Sequence, residues 1–383
     1  MKENENIEEL HSSPFRERGG RIIIAGGGTG GHIFPAIAIA NAIKKMAPQT
    51  VILFVGAKGK MEMEKVPQAG YEIRGIDIAG FNRSSLIKNI GLPFKLIKSL
   101  WQVSGIIKNF KPDAVVGVGG YSSFPVLRYA QGKRIPTFIL ESNSFAGKSN
   151  MLLGKKANRI FTATDGMEKF FPAEKIIVTG NPVRQSIASG NISKEAALKH
   201  FGFGQDKKVV LSIGGSLGAK SINEAIDKDL QLFAQNDLQL IWQTGKLYKE
   251  QAILRAKEYS NVYVNDFIMQ MEYAYTAADL VISRSGAMAI AELCVVKKPV
   301  VFVPYPFAAE DHQTANAKSL VKKQAAKMIK DSDALQELVP SIIGLSKNDS
   351  LQQQLKENIG KLAVTDADIE IAKVILGSLD LKK

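Results

Sequence analysis

One pattern, met twice in this chain, narrows what it can fold into. A short β-branched run ends in glycines and passes at once into a stretch with the makings of a helix. The first copy is Ile22-Ile23-Ile24-Ala25-Gly26-Gly27-Gly28-Thr29-Gly30-Gly31-His32, and the apolar run Ile33–Ile43 follows it. The second is Lys208-Val209-Val210-Leu211-Ser212-Ile213-Gly214-Gly215-Ser216-Leu217-Gly218-Ala219. A buried strand that turns through glycines into a helix N-terminus is a good place for an anion, because free N–H groups and the helix dipole face the ligand. Gly26, Gly28 and Gly31 satisfy G-x-G-x-x-G, a pattern that many ligand-free βα turns also satisfy. His32 adds a polar, titratable group where it would face whatever the glycines hold.

Between and after these units, strand-like runs alternate with helical ones. Thr50–Gly56, Ala114–Gly119, Thr137–Glu141, Arg159–Thr162 and Lys175–Thr179 read as strands in the first half. Leu238–Thr244, Asn261–Val264, Leu280–Ser283 and Pro299–Val303 do so in the second. That alternation predicts an α/β fold with parallel, doubly wound sheets. The length of 383 residues suits two such domains. Gly180–Arg184 is the expected hinge, since an asparagine before proline ends the preceding element. Ligands in such sheets sit at the carboxyl ends of the strands, so two halves with glycine turns predict a cleft between domains.

Several function classes drop out. The net charge of +13 is concentrated in residues 1–182, with 25 Lys and Arg against 14 Asp and Glu, whereas residues 183–383 hold 25 against 23. Such an excess meets an anionic partner or keeps the protein soluble, but no nucleic-acid-binding signature accompanies it. The second strand ends Val55-Gly56-Ala57-Lys58, without the carboxylate that a dinucleotide ribose needs. The first turn lacks the G-K-[ST] ending of a P-loop. A lone Cys294 excludes an internal disulfide framework, fits a reducing compartment and cannot build a zinc site with His11, His32, His200 and His312 scattered along the chain. The pairs Asp227/Asp229, Asp331/Asp333 and Asp366/Asp368 lie in polar helical or turn-like stretches and read as exposed surface carboxylates. Neither a metal nor a cofactor is expected. Residues 1–19 read as a disordered tail without signal-peptide features, and no apolar run is long enough to span a membrane.

The stretch Ile78–Pro112 is basic and apolar together. It carries Arg83, Lys88, Lys95, Lys98, Lys108 and Lys111 and no acidic residue. Phe94, Ile97 and Trp101 share one helical face, and Leu92, Leu96 and Leu100 another, more apolar surface than a single core face uses. Phe94, Ile97 and Trp101 with Lys95 and Lys98 are therefore expected at an anionic membrane surface. The alternative is a helix buried between neighbours with solvated lysines.

The remaining polar islands at strand ends complete an ordered set. Gly26–His32 with Phe34-Pro35-Ala36 comes first. Gly117-Val118-Gly119-Gly120-Tyr121, Glu141-Ser142-Asn143 and Gly180-Asn181-Pro182-Val183-Arg184 follow. Gly214–Ala219 with Asn223, Ser283-Arg284-Ser285-Gly286-Ala287 with Ala291-Glu292, and Gln313 with Asn316-Ala317 complete it. Over about 300 residues this set closely resembles the MurG family of bacterial N-acetylglucosaminyltransferases. Ser142 departs from it, since many relatives carry Gln there, and residues 1–19 lie outside it.

The resemblance implies a GT-B fold. An acceptor- and membrane-facing Rossmann-like domain would cover residues 20–182 and a UDP-sugar domain residues 183–363. Residues 364–383 would form a helix returning to the first domain. It implies inverting transfer of N-acetylglucosamine from UDP-N-acetylglucosamine to the C4 hydroxyl of undecaprenyl-diphospho-N-acetylmuramyl-pentapeptide (lipid I), giving lipid II for peptidoglycan. Another UDP-sugar-dependent GT-B glycolipid transferase and a non-catalytic UDP-sugar-binding protein are the alternatives. The implied location is peripheral, on the cytoplasmic face of the bacterial inner membrane, with cell-wall synthesis and division proteins as possible partners. By the same resemblance Ser216 and the turn amides hold the diphosphate, near Asn223 of the same motif. Glu292 takes the ribose hydroxyls, and Ile268, Ala287, Met288, Ala289, Ile290 and Ala291 line the nucleoside. Gln313 bonds a sugar hydroxyl with Asn316 in support. Arg184 and Asn143 lie near the cleft, Thr29, Gly30 and Gly31 bind the acceptor diphosphate or reacting sugar, and Tyr121 meets the acceptor. His32 is the first choice for general base; the alternative is that it only positions acceptor or loop. No carboxylate of the first domain suggests itself in place of His32.

Overall fold

Arg21–Ala25 forms β1, and everything after its first residue is buried. Ile22 and Ile24 enter one apolar core and Ile23 and Ala25 another, so the strand is covered on both faces. That is why it reads as a continuous apolar run. The strands β2 (Val51–Ala57), β3 (Glu72–Ile76), β4 (Ala114–Gly117), β5 (Thr137–Glu141), β6 (Arg159–Thr162) and β7 (Ile176–Val178) complete a seven-stranded sheet in the order β3-β2-β1-β4-β5-β6-β7. All pairs are parallel, with Ile22 beside Ile52 on one side and Ala114 on the other. The helices that matter here are α1 (Gly30–Met46), α2 (Glu62–Gln68) and α3 (Leu92–Phe110).

The computed structural model describes residues 19–78, 92–215, 217–308 and 311–380. One unit takes the chain up to Arg184 together with the stretch from Asp366, the other Gln185–Thr365. The second has its own parallel sheet of β8 (Lys208–Ile213), β9 (Leu238–Gln243), β10 (Val262–Asn265), β11 (Leu280–Ser283), β12 (Val300–Phe302) and β13 (Lys327–Met328). Its order is β10-β9-β8-β11-β12-β13. Its core gathers Trp242, Phe233, Leu240, Ile282 and Val301. Here α4 (Lys220–Lys228) follows β8, α5 (Ala287–Val296) follows β11, and α6 (His312–Lys322) follows β12. The chain then returns to the first unit as α7 (Ala367–Asp380), whose Ile371, Ala372, Ile375, Leu376 and Leu379 join the core that holds Ile33, Ile37 and Ile43 of α1.

Strand order locates the functional ends. In each sheet the order reverses beside the first strand, between β1 and β4 and between β8 and β11. Crevices for ligands open at such switch points, at the carboxyl ends of the strands. Both glycine turns leave there.

Several expectations change. The strands β3 and β13 escaped the sequence reading: Glu72-Ile73-Arg74-Gly75-Ile76 alternates charge with apolar residues as a sheet edge does, and β13 is only two residues long. The helix α1 begins at Gly30, so His32 sits in its first turn, not at the end of the loop. The Asp pairs are not plain surface carboxylates. Asp368 is buried, Asp227 accepts hydrogen bonds from Tyr248, Gln251 and Arg255, and Asp331 pairs with Arg284. On α3, Ser99, Val103 and Ile107 are buried, whereas Phe94, Ile97 and Trp101 are 75%, 67% and 79% exposed. The reading of α3 as a helix buried between neighbours therefore does not hold for its first half. Lys95 is exposed beside them, but Lys98 is bound to Asp77 at 2.9 Å, so its charge is already partly neutralised. The proposed tail, apart from Gly19, lies outside the described residues, as do Arg83 and Lys88.

Candidate active site

The first turn is built by close backbone approach. Gly27 N–H donates to the Gly119 carbonyl at 3.3 Å, bringing the loop after β1 against the loop after β4. A side chain on Gly120 would collide with the Gly27 carbonyl at 2.2 Å, and one on Gly119 with the His32 ring at 2.7 Å. Both glycines also have φ in the left-handed region, +97° and +83°. The Ser123 hydroxyl lies 2.7 and 2.8 Å from the Ala25 and Gly119 carbonyls, can donate its hydrogen to either, and accepts from Gly119 N–H, which ties the two strand ends together.

Beneath this pair lies Glu62, from the first turn of α2 and 1% exposed. Its Oε2 accepts from Gly28 N–H at 2.7 Å and its Oε1 from Ala57 N–H at 2.9 Å. Side chains on Gly27 or Gly56 would overlap it, at 2.2 and 2.4 Å. The carboxylate that β2 lacks is thus delivered from the next helix, and it is spent on the turn. The sequence suggests no carboxylate to replace His32 as base, and the two that lie near its ring, Glu62 and Glu141, are both taken up by hydrogen bonds.

His32 Nδ1 lies 3.1 Å from the Gly27 carbonyl. A carbonyl only accepts, so Nδ1 carries the hydrogen and Nε2 keeps its lone pair in the neutral ring. Although the ring is only half-buried by surface area, desolvation dominates and lowers its pKa below 6.5. The Gly27 contact and the charges of Glu141 and Glu62 oppose this with smaller effects. Near pH 7 the imidazole is neutral and can take a proton. Thr29, just before α1, gives no side-chain cap, and the first-turn N–H groups of Gly30 and Gly31 lie at the positive end of the helix.

Glu141 closes β5. Its oxygens accept from Asn143 N–H and side chain, Gly147 N–H and the Asn150 amide. Asn143 is thereby fixed beside it. Arg184 stacks over Phe34 of α1 at 4.3 Å, and Tyr121 is exposed just after Gly120. His32, Thr29, Gly30, Gly31, Tyr121, Asn143 and Arg184 therefore gather at the carboxyl ends of one sheet.

The second unit repeats the plan. Between β8 and α4, Gly215 and Gly218 have φ of +80° and +79°. Gly218 and Gly245 pack so closely that neither tolerates a Cβ. Asn223, one of the expected ligand contacts, is 2% exposed. It donates to the Thr244 carbonyl and accepts from the Trp242 indole, so it holds the Thr244–Gly245 turn instead of facing a ligand. Ser216 lies outside the described residues.

Arg284, beyond β11, joins three strand ends. It donates to the Val303 and Pro304 carbonyls, to Asp331 and to Ser221 in the first turn of α4. Ser285, fully buried, donates to the Gln313 carbonyl, and its own carbonyl accepts from Asn316. The Gln313 side-chain oxygen accepts from Tyr305 N–H, leaving its amide NH2 as donor. Glu292 is buried in the second turn of α5 and accepts from the Tyr275 hydroxyl at 2.9 Å. Ala287, Met288, Ala289, Ile290 and Ala291 precede it on the same helix, half-buried, and Ile268 is buried just after β10. The sequence reading gave no role to Glu62, Ser285 or Tyr275. Ser285 alone carried a signal, its place inside a quoted motif.

The comparisons with known proteins agree with this plan. Residues 22–162 match the glycosyltransferase family 28 N-terminal domain and residues 209–371 the family's C-terminal domain. The chain is 52% identical over 360 residues to a Bacteroides fragilis protein, covering 93% of this chain and 95% of that one. That protein is named UDP-N-acetylglucosamine–N-acetylmuramyl-(pentapeptide) pyrophosphoryl-undecaprenol N-acetylglucosamine transferase. A Bacteroides thetaiotaomicron protein of the same name is 53% identical, with 93% and 97% covered. The chain belongs to the MurG family of glycosyltransferases. Among solved structures, MurG of Acinetobacter baumannii superposes with a TM-score of 0.70 at 30% identity, covering 94% of this chain and 99% of that one. A Staphylococcus aureus MnaA–UDP complex superposes at 0.68 with 16% identity, covering 94% and 97%, a likeness of fold alone. MurG-family membership and the paired parallel sheets identify the fold as GT-B.

Proposed function

We propose that this MurG-family enzyme transfers N-acetylglucosamine from UDP-N-acetylglucosamine to the C4 hydroxyl of lipid I, releasing UDP and forming lipid II. The identity of about one-half over nearly the whole length to transferases of that name carries this reading. In the step, the acceptor oxygen attacks the anomeric carbon and the bond to the diphosphate oxygen breaks. The electron pair leaves with UDP, and the hydroxyl proton passes to His32 Nε2. One displacement inverts the anomeric centre.

The donor belongs in the second unit. The turn before α4 meets the diphosphate, Glu292 the ribose, Ile268 and residues 287–291 the nucleoside, and Gln313 a sugar hydroxyl with Asn316 in support. The acceptor belongs in the first unit, where Thr29, Gly30, Gly31, Tyr121, Asn143 and Arg184 surround His32. Fixed N–H groups and Arg184 stabilise developing diphosphate charge. The exposed face of α3, with Phe94, Ile97, Trp101 and Lys95, rests on the anionic membrane that carries the lipid acceptor. Among the described residues no helix is long and apolar enough to cross that membrane.

The test is UDP release by purified protein with UDP-N-acetylglucosamine, with and without a lipid I analogue. Release that requires the analogue and yields a β-linked disaccharide product is expected. Release without any acceptor, or none with it, overturns the assignment.

A further inference from the structure

Glu62 is absent from the roles derived above, yet it is buried and holds the glycine turn directly. Both oxygens accept backbone N–H groups, one from the turn at Gly28 and one from the end of β2 at Ala57. Gly27 and Gly56 pack directly against it, so close that a Cβ on either would overlap it. The peptide between Gly27 and Gly28 therefore has a fixed plane. At one end its N–H is held by Glu62; at the other its carbonyl receives the His32 Nδ1 hydrogen at 3.1 Å. A carboxylate, one peptide group and an imidazole stand in series.

We propose that Glu62 is a positioning residue for His32: it clamps the peptide that fixes the imidazole tautomer, and its negative charge stabilises the imidazolium formed when His32 takes the acceptor proton. The inference rests on His32 as general base. Two charged groups act on the ring, Glu62 from α2 and Glu141 from the end of β5, and both favour the protonated form. Glu141 spends its oxygens on the loop 143–150, whereas Glu62 also grips the turn that orients the ring. The peptide passes the constraint on as the carboxylate of a Ser-His-Asp triad does directly, through the imidazole nitrogen that does not react.

The test compares His32→Ala, Glu62→Gln and Glu62→Asp in the full-length protein, with kcat and KM for both substrates and the pH profile of kcat/KM. Gln keeps the shape but loses the charge, and it can satisfy only one of the two N–H donors. Glu62→Gln is expected to lower kcat about 10–100-fold, the scale of a misplaced catalytic group, with the donor KM near wild type. Its ascending pH limb should move to lower pH, because one anion facing the ring is gone. Glu62→Asp should keep the limb near its wild-type position and still lose kcat, because the charge remains but the reach is shorter. A folded Glu62→Gln protein with wild-type kcat and an unmoved limb overturns the proposal, even if its Tm falls. If the Gln variant does not fold, Glu62→Asp decides, and wild-type kcat in it is the overturning result. Retention of kcat by His32→Ala at saturating acceptor removes the general base itself and the proposal with it. That outcome is distinct from failure at Glu62 alone.

Discussion

His32 gathers the chemistry of the first unit into one side chain, and its behaviour is open to measurement. If Nε2 takes the acceptor proton, His32→Ala should lower kcat by roughly 10²–10⁴-fold while leaving donor affinity nearly unchanged. Near-normal kcat with a raised acceptor KM identifies a binding role instead. The lowered pKa gives the pH dependence its sign. The neutral ring is the active form, so kcat/KM should rise with pH along a limb centred below about 6.5. Stability follows the same direction: the unfolded chain takes up this proton first, so the contribution is complete above about 6.5 and is lost as pH falls through the folded pKa. In the second unit, Glu292→Ala should weaken UDP-N-acetylglucosamine binding about 10–100-fold by calorimetry, the value of a charge-assisted hydrogen bond. Tyr275→Phe, which removes only the phenol that props Glu292, should cost less; unchanged affinity in folded Glu292→Ala removes the residue from the site. His32 was legible in the sequence because its loop is contiguous. Glu62 was not, because it lies 34 residues from the Gly28 N–H it holds, within Met61-Glu62-Met63-Glu64, where one glutamate reads much like its exposed neighbour. Asn223 misled for the opposite reason: its place in a glycine motif suggested a ligand, but the motif needs it to hold a second turn.

The helix α3 shows what pattern alone leaves open. Two apolar faces could be read from spacing, but which one meets the core depends on where the sheet lies. Ser99, Val103 and Ile107 face inward, and Phe94, Ile97 and Trp101 remain in water at a cost that a membrane would recover. Replacing those three with serine should reduce sedimentation with vesicles containing anionic lipid and leave Tm nearly unchanged, since they are not in the core. Raising salt should weaken wild-type binding too, but modestly, because Lys98 is partly neutralised by Asp77. Equal vesicle binding by mutant and wild type assigns the face another purpose. The long parallel strands were legible for the converse reason. Burial on both faces makes β1, β5 and β8 continuous apolar runs, whereas edges such as β3 carry charges that hide them.

The molecule as a whole was legible as two α/β halves, because the glycine-turn unit occurs twice and each occurrence sits at a switch in strand order. The crossing of the chain back into the first unit came from family resemblance, since no local pattern in residues 364–383 states a destination. Its energetic weight is large. Four large apolar side chains of α7, with Ala372 between them, enter the first core, and burial of each large one is worth roughly 1.5–3 kcal/mol, about 6–12 kcal/mol for the four. That matches the whole stability of an ordinary domain, about 5–15 kcal/mol. Truncation after Thr365 should therefore unfold the first unit while the second keeps its calorimetric transition; a truncated protein with both transitions intact refutes this weighting.

The same return sets an order of events at the ribosome. The first unit is translated early, but the helix that seals it emerges only after the entire second unit has been made. At about 5–20 residues per second the interval is roughly 10–40 s. For that time the face of α1 that packs against α7 has no covering helix, while the second unit can already close on its own core. The half that leaves the ribosome first is thus the last to become complete. Nascent chains stalled before Asp366 should expose that face to proteases and to chaperones that bind apolar surface.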